Sequence, residues 1–527
     1  MIQKKLPIGV QNFEKLIQEG YVYIDKTAYI YRAVHGANQY FLSRPRRFGK
    51  SLLLSTMKAY WEGKKEYFTG LDIEKLESDD PNAWQAYPVF YFDFNTDNLR
   101  AENSLERVLD EHLKAWEKIY GLEDPTSTLA ARFQHLLKRA YSQTGKRCVI
   151  LVDEYDKPLI ENMDNSDHEN HNKEVFKGFF STLKSYDEYI QFVFITGVTK
   201  FSKVSIFSDL NQLKDISLSK QYAGICGITE KEIEKTFADE INSLAKEQKL
   251  SVDSCLQSLK SEYDGYHFHQ SGEGIYNPYS LLNAFTDLEF KSYWYETGTP
   301  TFLVKKLKDI GFDIRKFSDL SLEITEDVLS DYNGENTDPV PLLYQTGYLT
   351  IKGYDSSSRT YTVGFPNNEV KYGFLNSFLP QYTPDSFSGS GKSILEIRRY
   401  IQNGDLQLLQ DALIALYASI PYTSSNNVPY EHYFQTVLYL VFTLLGQYVH
   451  CELHSSRGRA DCIVETDKYV YIFEFKMDKS SAEALEQIYD KGYAAPYKAD
   501  SRTVYAVGVN FDSETRTLND FEIDKIS

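Results

Sequence analysis

The sequence predicts a multidomain α/β protein with a mostly parallel, helix-covered sheet at its N-terminal end, a helical and winged-helix-like middle, and a second α/β domain at its C-terminal end. Three observations support this reading. Up to about residue 220, apolar runs of strand length alternate with helical patterns, the order expected of a parallel sheet whose crossovers are helices. From residue 227 onward a long, charged helical stretch takes over. Beyond a Pro/Ser/Gly-rich segment at 384–393 the pattern turns helical again and then becomes a hairpin of alternating apolar residues. A chain of 527 residues exceeds one hydrophobic core, and these breaks divide it at 1–220, 221–383 and 394–527.

In the first segment, residues 40–43 read as a strand, 44–51 (Arg-Pro-Arg-Arg-Phe-Gly-Lys-Ser) as a loop and 52–60 as a helix. That is the order of a P-loop. Its backbone N–H groups and helix N-terminus cradle phosphates, its lysine reaches the β/γ oxygens and its hydroxyl holds Mg²⁺. Gly49, Lys50 and Ser51 are therefore expected to bind ATP with Mg²⁺, although Arg44 stands where the general motif has its first glycine. A further strand is expected at 88–94, and the apolar run from Cys148 to Val152 ends in Asp153 and Glu154, as a buried parallel strand delivering carboxylates to its C-terminal edge should. Asp153 would hold Mg²⁺ through water and Glu154 would polarise the attacking water. A last apolar run, 191–195, ends at Thr196, where a polar sensor of the γ-phosphate is expected.

In the middle, Thr229 followed by Glu232 reads as a capping box that starts the helical stretch. The aromatic, turn-rich sequences around Tyr266, His267 and Phe268, around Tyr276 and Tyr279, and around Trp294 and Tyr295 are assigned to packing, not chemistry. Residues 343–351 and 361–365 read as a helix end followed by a hairpin, hence the winged-helix-like expectation.

Near the C-terminus, two strands around a turn at Asp467 and Lys468 set Ile463 opposite Ile472 and Asp461 opposite Glu474. Side chains alternate along a strand, so Lys476 shares the face of Glu474. Two facing carboxylates repel unless a cation or a proton intervenes, and Mg²⁺ favours one or two carboxylates plus waters and a substrate phosphate. This arrangement suits phosphodiester chemistry.

Asp461, Glu474 and Lys476 resemble the PD-(D/E)xK nuclease signature, with Ala460 in place of its proline, and the flanks resemble it too, with Glu431 in a helical segment upstream and Gln487 and Tyr493 in one downstream. The resemblance implies an α/β restriction-endonuclease-like domain. It further implies that Asp461 and Glu474 hold the metal, that Lys476 positions or helps deprotonate the attacking water, that Glu431 is an accessory acid and that Gln487 orients the site. The N-terminal part resembles the bacterial AAA-ATPase-like family, through Leu6-Pro7-Ile8-Gly9, Tyr23-Ile24-Asp25-Lys26-Thr27, the loop at 44–51 and Val152-Asp153-Glu154-Tyr155-Asp156-Lys157-Pro158. In that family an arginine-rich loop replaces the glycine-rich one, and a PD-(D/E)xK domain follows at the C-terminus, so the two resemblances form one architecture.

The formal net charge of −18 disfavours condensation on nucleic acid, so any contact with it, expected to be DNA, must be local. Candidates are Arg44, Arg46, Arg47 and Lys50, which are assigned rather to nucleotide phosphates, and His454, Arg457 and Arg459 just before the hairpin acids. Five cysteines without a C-x-x-C pair fit a reducing compartment, and no apolar run approaches the roughly 20 residues of a membrane span, so a cytoplasmic protein is expected. A homo-oligomer is retained as an expectation, because phosphoryl-transfer sites can take an arginine from a neighbouring molecule. The sequence thus points to an ATP-binding protein coupled to metal-dependent cleavage of nucleic acid. Its rival is a non-cleaving, ATP-dependent switch whose nuclease fold is a DNA or protein interaction module.

Overall fold

Cys148–Asp153, buried at every position, satisfies its backbone inside a sheet covered on both faces. The computed structural model describes all residues except 1–4, 96–97, 122–126, 164, 201–212, 297–302, 305–306, 309, 311, 318–321, 331–337, 383–390, 419–429, 447–449, 454–459 and 516. It describes backbone alone at 381–382, 391–393, 430–435 and 450–453. The segment at 384–393 read as a linker lies mostly outside the described residues.

The N-terminal sheet contains β1 (Gln39–Ser43), β2 (Val89–Asp93), β3 (Cys148–Asp153), β4 (Ile190–Gly197) and β5 (Lys214–Asp215) in the order β2-β3-β4-β1-β5. Every neighbouring pair is parallel, so the connections must cross over. Between β1 and β2 the crossover includes the helix Lys50–Trp61; between β2 and β3 it is the pair Ser104–Tyr120 and Leu129–Thr144. The registers set Ser43 beside Gly197 and Val152 beside Ile195, bringing the loop after β1, Asp153 and Thr196 to one edge. Ligands of open parallel sheets bind at that edge.

In the middle region, β6 (Ile228–Thr229) pairs with β7 (Ile275–Tyr276), and the expected capping box at Thr229 and Glu232 is formed. Ile233, Phe237, Leu244, Leu259 and Phe285 make a helical core there. The helix Val340–Thr346 stops at Gly347, whose φ of 92° is open to glycine, and is followed by β9 (Thr350–Asp355) and β10 (Thr360–Gly364), which β8 (Glu323–Thr325) joins on the far edge of β10.

The chain gathers into two compact units, Met1–Trp294 with Leu322–Glu369, and Tyr295–Ser321 with Val370–Ser527. In the second, β11 (His450–Leu453), β12 (Cys462–Glu465), β13 (Tyr469–Met477), β14 (Thr503–Asp512) and β15 (Thr517–Lys525) form a mixed sheet in sequence order. Only β13 and β14 run parallel, and the helix Ser481–Asp490 supplies their crossover. Val470, Ile472, Val504 and Ala506 bury Leu485 and Ile488 of that helix. Cys148, Cys226, Cys255 and Cys462 are free thiols, and among the described residues no helix is long and apolar enough to cross a membrane.

Candidate functional sites

At the edge of the N-terminal sheet, Gly49 takes φ 92° and begins the helix Lys50–Trp61, a conformation that L side chains rarely adopt. Ser51 stands beside Asp153, which is 1% exposed. The Thr196 hydroxyl donates to Asp153 Oδ1 at 2.7 Å and the Tyr91 hydroxyl to Oδ2 at 3.3 Å. Burial pushes the Asp153 carboxyl up, against the nearby Ser51 and Thr196 hydroxyls and the charge of Lys50. Glu154 sits at φ 50°, with its N–H on Thr196 Oγ1 at 3.4 Å. Gly49, Lys50, Ser51, Asp153, Glu154 and Thr196 are thus brought to one place.

The lysine is engaged within its own loop. Lys50 is 3% exposed, and its Nζ donates to the carbonyl oxygens of Arg44 at 2.9 Å and Pro45 at 3.1 Å. Arg44 corrects the sequence reading, which set it among the phosphate-facing cations. It is 1% exposed, donates to the carbonyls of Ser43 and Ser217, each at 2.8 Å, and of Tyr222 at 3.1 Å, and lies 3.9 Å from the centre of the Phe268 ring. Its charge is spent on backbone oxygens inside the protein, whereas Arg46 and Arg47 are exposed.

The aromatic motifs assigned to packing do pack, and they pack on this loop. Phe48 meets Tyr266 and Phe268 edge-on at 4.8 and 5.6 Å, Trp294 Nε1 donates to the Arg46 carbonyl at 3.0 Å, and Arg47 lies over Tyr279. Asp156 lies in the same motif as Asp153 and Glu154. It is fully enclosed and accepts the N–H groups of Val198 and Thr199 and the Thr199 hydroxyl, fixing the chain that leaves β4.

In the C-terminal unit, Cys462 pairs with Phe473 and Ile463 with Ile472, the register expected from the sequence. Asp461 immediately precedes β12, and its Oδ2 accepts the Phe475 N–H at 2.9 Å, which places it beside Glu474. Glu474 is 2% exposed; its Oε1 accepts Lys476 Nζ at 2.9 Å and also Gln487 Nε2. Lys476 donates in turn to Gln487 Oε1 at 2.6 Å, and Gln487 reaches the Tyr493 hydroxyl at 3.4 Å. The other oxygen, Glu474 Oε2, is buried without a hydrogen-bond partner. Burial raises both carboxyls, and the Asp461 charge raises that of Glu474 further.

A buried carboxylate oxygen without a donor is costly unless a cation meets it, so this set fits a divalent metal. Glu431 lies in the helix Tyr430–Leu445, which sets Phe442 against Phe473 and Phe475, the alternate face to that of Glu474 and Lys476. The Glu431 side chain and residues His454, Arg457 and Arg459 lie outside the described residues.

Residues 7–207 match the family model described as "Predicted AAA-ATPase", and residues 429–521 match that of the PD-(D/E)XK nuclease superfamily. The chain is also 35% identical over 538 residues, spanning the whole of both chains, to a protein of Azotobacter chroococcum mcd 1 described as "Uncharacterized protein in vnfD 5'region".

Proposed function

We propose that this chain, which belongs to the AAA-ATPase-like family that carries a PD-(D/E)XK nuclease superfamily domain at its C-terminus, is an ATP-binding protein coupled to metal-dependent cleavage of nucleic acid phosphodiesters. The observation that carries the cleavage reading is the buried, partnerless Glu474 Oε2 beside Asp461 and the Lys476–Gln487 pair.

Asp461 and Glu474 would hold Mg²⁺, which when bound supplies a Lewis acid for the charge developing on the phosphate. Lys476 is held within reach of Glu474 by Gln487, so its ammonium is oriented to position the attacking water. Gln487 is itself steadied by Tyr493. At the other site the backbone at Gly49 and the ammonium of Lys50 would take the ATP phosphates, Ser51 and Asp153 the accompanying Mg²⁺, and Glu154 the attacking water. Thr196 holds Asp153 from behind. DNA is the expected nucleic acid, and the cytoplasm the expected compartment.

The test is an assay of duplex and single-stranded DNA and RNA with Mg²⁺ or Mn²⁺, with and without ATP. Cleavage should be lost in Asp461→Ala, Glu474→Ala and Lys476→Ala, with metal binding retained only in the last. ATP and metal binding with no cleavage of any of these substrates would instead establish the non-cleaving switch.

A further inference from the structure

In the N-terminal unit, two short helices run side by side and are tied together at each end. At one end the Asp72 N–H donates to Asp25 Oδ2 at 2.7 Å and the Ile73 N–H to Thr27 Oγ1 at 3.1 Å. At the other, His35 ends the helix Thr27–Val34 and Glu77 ends the helix Asp72–Leu76, with His35 Nε2 and Glu77 Oε1 3.0 Å apart. Asp80 follows, and His35, Glu77 and Asp80 offer ligand atoms within 4.8 Å of one another.

Three features of this end call for a cation. The Glu77 side chain has no solvent exposure, and while Oε1 accepts the Tyr60 hydroxyl at 2.6 Å, Oε2 is buried with no partner. Among the described residues, His35 is the ion partner of Glu77, and no lysine or arginine pairs with Glu77 or Asp80. Finally, Glu77 stands where both helices end, so helix dipoles add negative potential to a place that already holds two carboxylates. A neutral histidine leaves a buried carboxylate uncompensated, which is costly.

We propose that His35, Glu77 and Asp80 form a divalent metal site of the zinc class. An imidazole nitrogen with carboxylate oxygens is a donor set for Zn²⁺ rather than for Mg²⁺, which prefers oxygen and water. Ligands at about 2.0–2.2 Å from a tetrahedral ion stand roughly 3.3 Å apart, close to the His35–Glu77 separation. Asp80 Oδ1 accepts the Asn82 N–H at 2.8 Å, and Oδ2 remains as its donor to the ion. Three protein ligands leave a fourth position for water. The ion would lock the helix pair at the end that the Asp25 and Thr27 hydrogen bonds do not reach.

The test is calorimetric titration of the chelator-stripped full-length protein with Zn²⁺ in saturating Mg²⁺, paired with thermal unfolding. One Zn²⁺ per chain should bind and raise the unfolding temperature. Asp80→Asn should weaken binding about 10-fold or more and His35→Ala at least about 100-fold, since losing an outer-shell partner alone costs about 10–100-fold. His35 is partly exposed, so its replacement should leave the fold intact, which circular dichroism checks. The proposal is overturned if the wild type binds no Zn²⁺, or if His35→Ala binds it as tightly as the wild type. Zinc binding that Glu474→Ala removes and His35→Ala spares would likewise overturn it, by placing the ion at the nuclease carboxylates.

Discussion

Replacing Glu474 by Gln keeps the side-chain volume and removes the charge that the partnerless Oε2 carries. In the wild type, Mn²⁺ at about 100 times its Kd should stabilise the C-terminal unit by about 2.7 kcal/mol. For a unit of about 185 residues, where 1 kcal/mol moves the midpoint by roughly 2–4 °C, that is a rise of roughly 5–11 °C. Glu474→Gln should lose nearly all of this rise. The metal-free proteins should differ in pH dependence. The folded pKa of Glu474 is raised above the ordinary 4.5 by burial and by Asp461, so the folded state keeps its proton to higher pH than the unfolded chain. The wild type is therefore at its best relative to Glu474→Gln below pH 4.5 and loses ground as pH rises through the raised folded value, while the Mn²⁺ response grows over the same window. Differential scanning fluorimetry across pH, with and without Mn²⁺, reads both effects. An equal Mn²⁺ shift in wild type and Glu474→Gln would refute the placement of the ion, and a pH-independent difference would refute the electrostatic account.

Other perturbations probe the N-terminal unit. Lys50→Ala should weaken ATP binding in calorimetry, whereas Glu154→Gln should bind ATP and hydrolyse it about 10²–10⁴-fold more slowly in a phosphate-release assay. Arg44→Met leaves the carbonyls of Ser217 and Tyr222 without their buried donor and should cost about 2–5 kcal/mol in denaturant unfolding, against under about 0.5 kcal/mol for the exposed Arg46→Ala. Gly227→Ala would place a Cβ 2.2 Å from Ile275 Cγ2 at a φ of +81°, and should destabilise by about 1–3 kcal/mol in the same measurement.

What could be read from the sequence was what is decided locally. The apolar run into Asp153 and the alternation around Ile463 and Ile472 each carry their own strand, and a short turn leaves the second pair one register, so Asp461 and Glu474 could be set side by side. The Arg44 error has the opposite origin. A basic residue in a loop looks solvated until the carbonyls of Ser217 and Tyr222, more than 170 positions away, are known to enclose it. The same holds for Asp156, whose partners Val198 and Thr199 lie on another strand's exit, and for the aromatic motifs, whose composition announced burial but not that the loop at 44–51 was what they bury. His35 and Glu77 are 42 positions apart, with no spacing rule to connect them.

The hold of the Arg44 and Pro45 carbonyls on Lys50 has a kinetic consequence. Hydrogen bonds to an ammonium are worth about 1.5–3 kcal/mol each, so the resting lysine is already solvated by its own loop and does not wait as a bare charge. If ATP binds here as proposed, its triphosphate would have to take over these contacts in exchange, and the exchange would need the loop to shift while Phe48 and Arg46 are gripped by Tyr266, Phe268 and Trp294. Association should then proceed by a fast encounter followed by a slower rearrangement. In stopped-flow mixing with a fluorescent ATP analogue, the observed rate would level off as nucleotide is raised, and the plateau would measure how often the loop lets its lysine go.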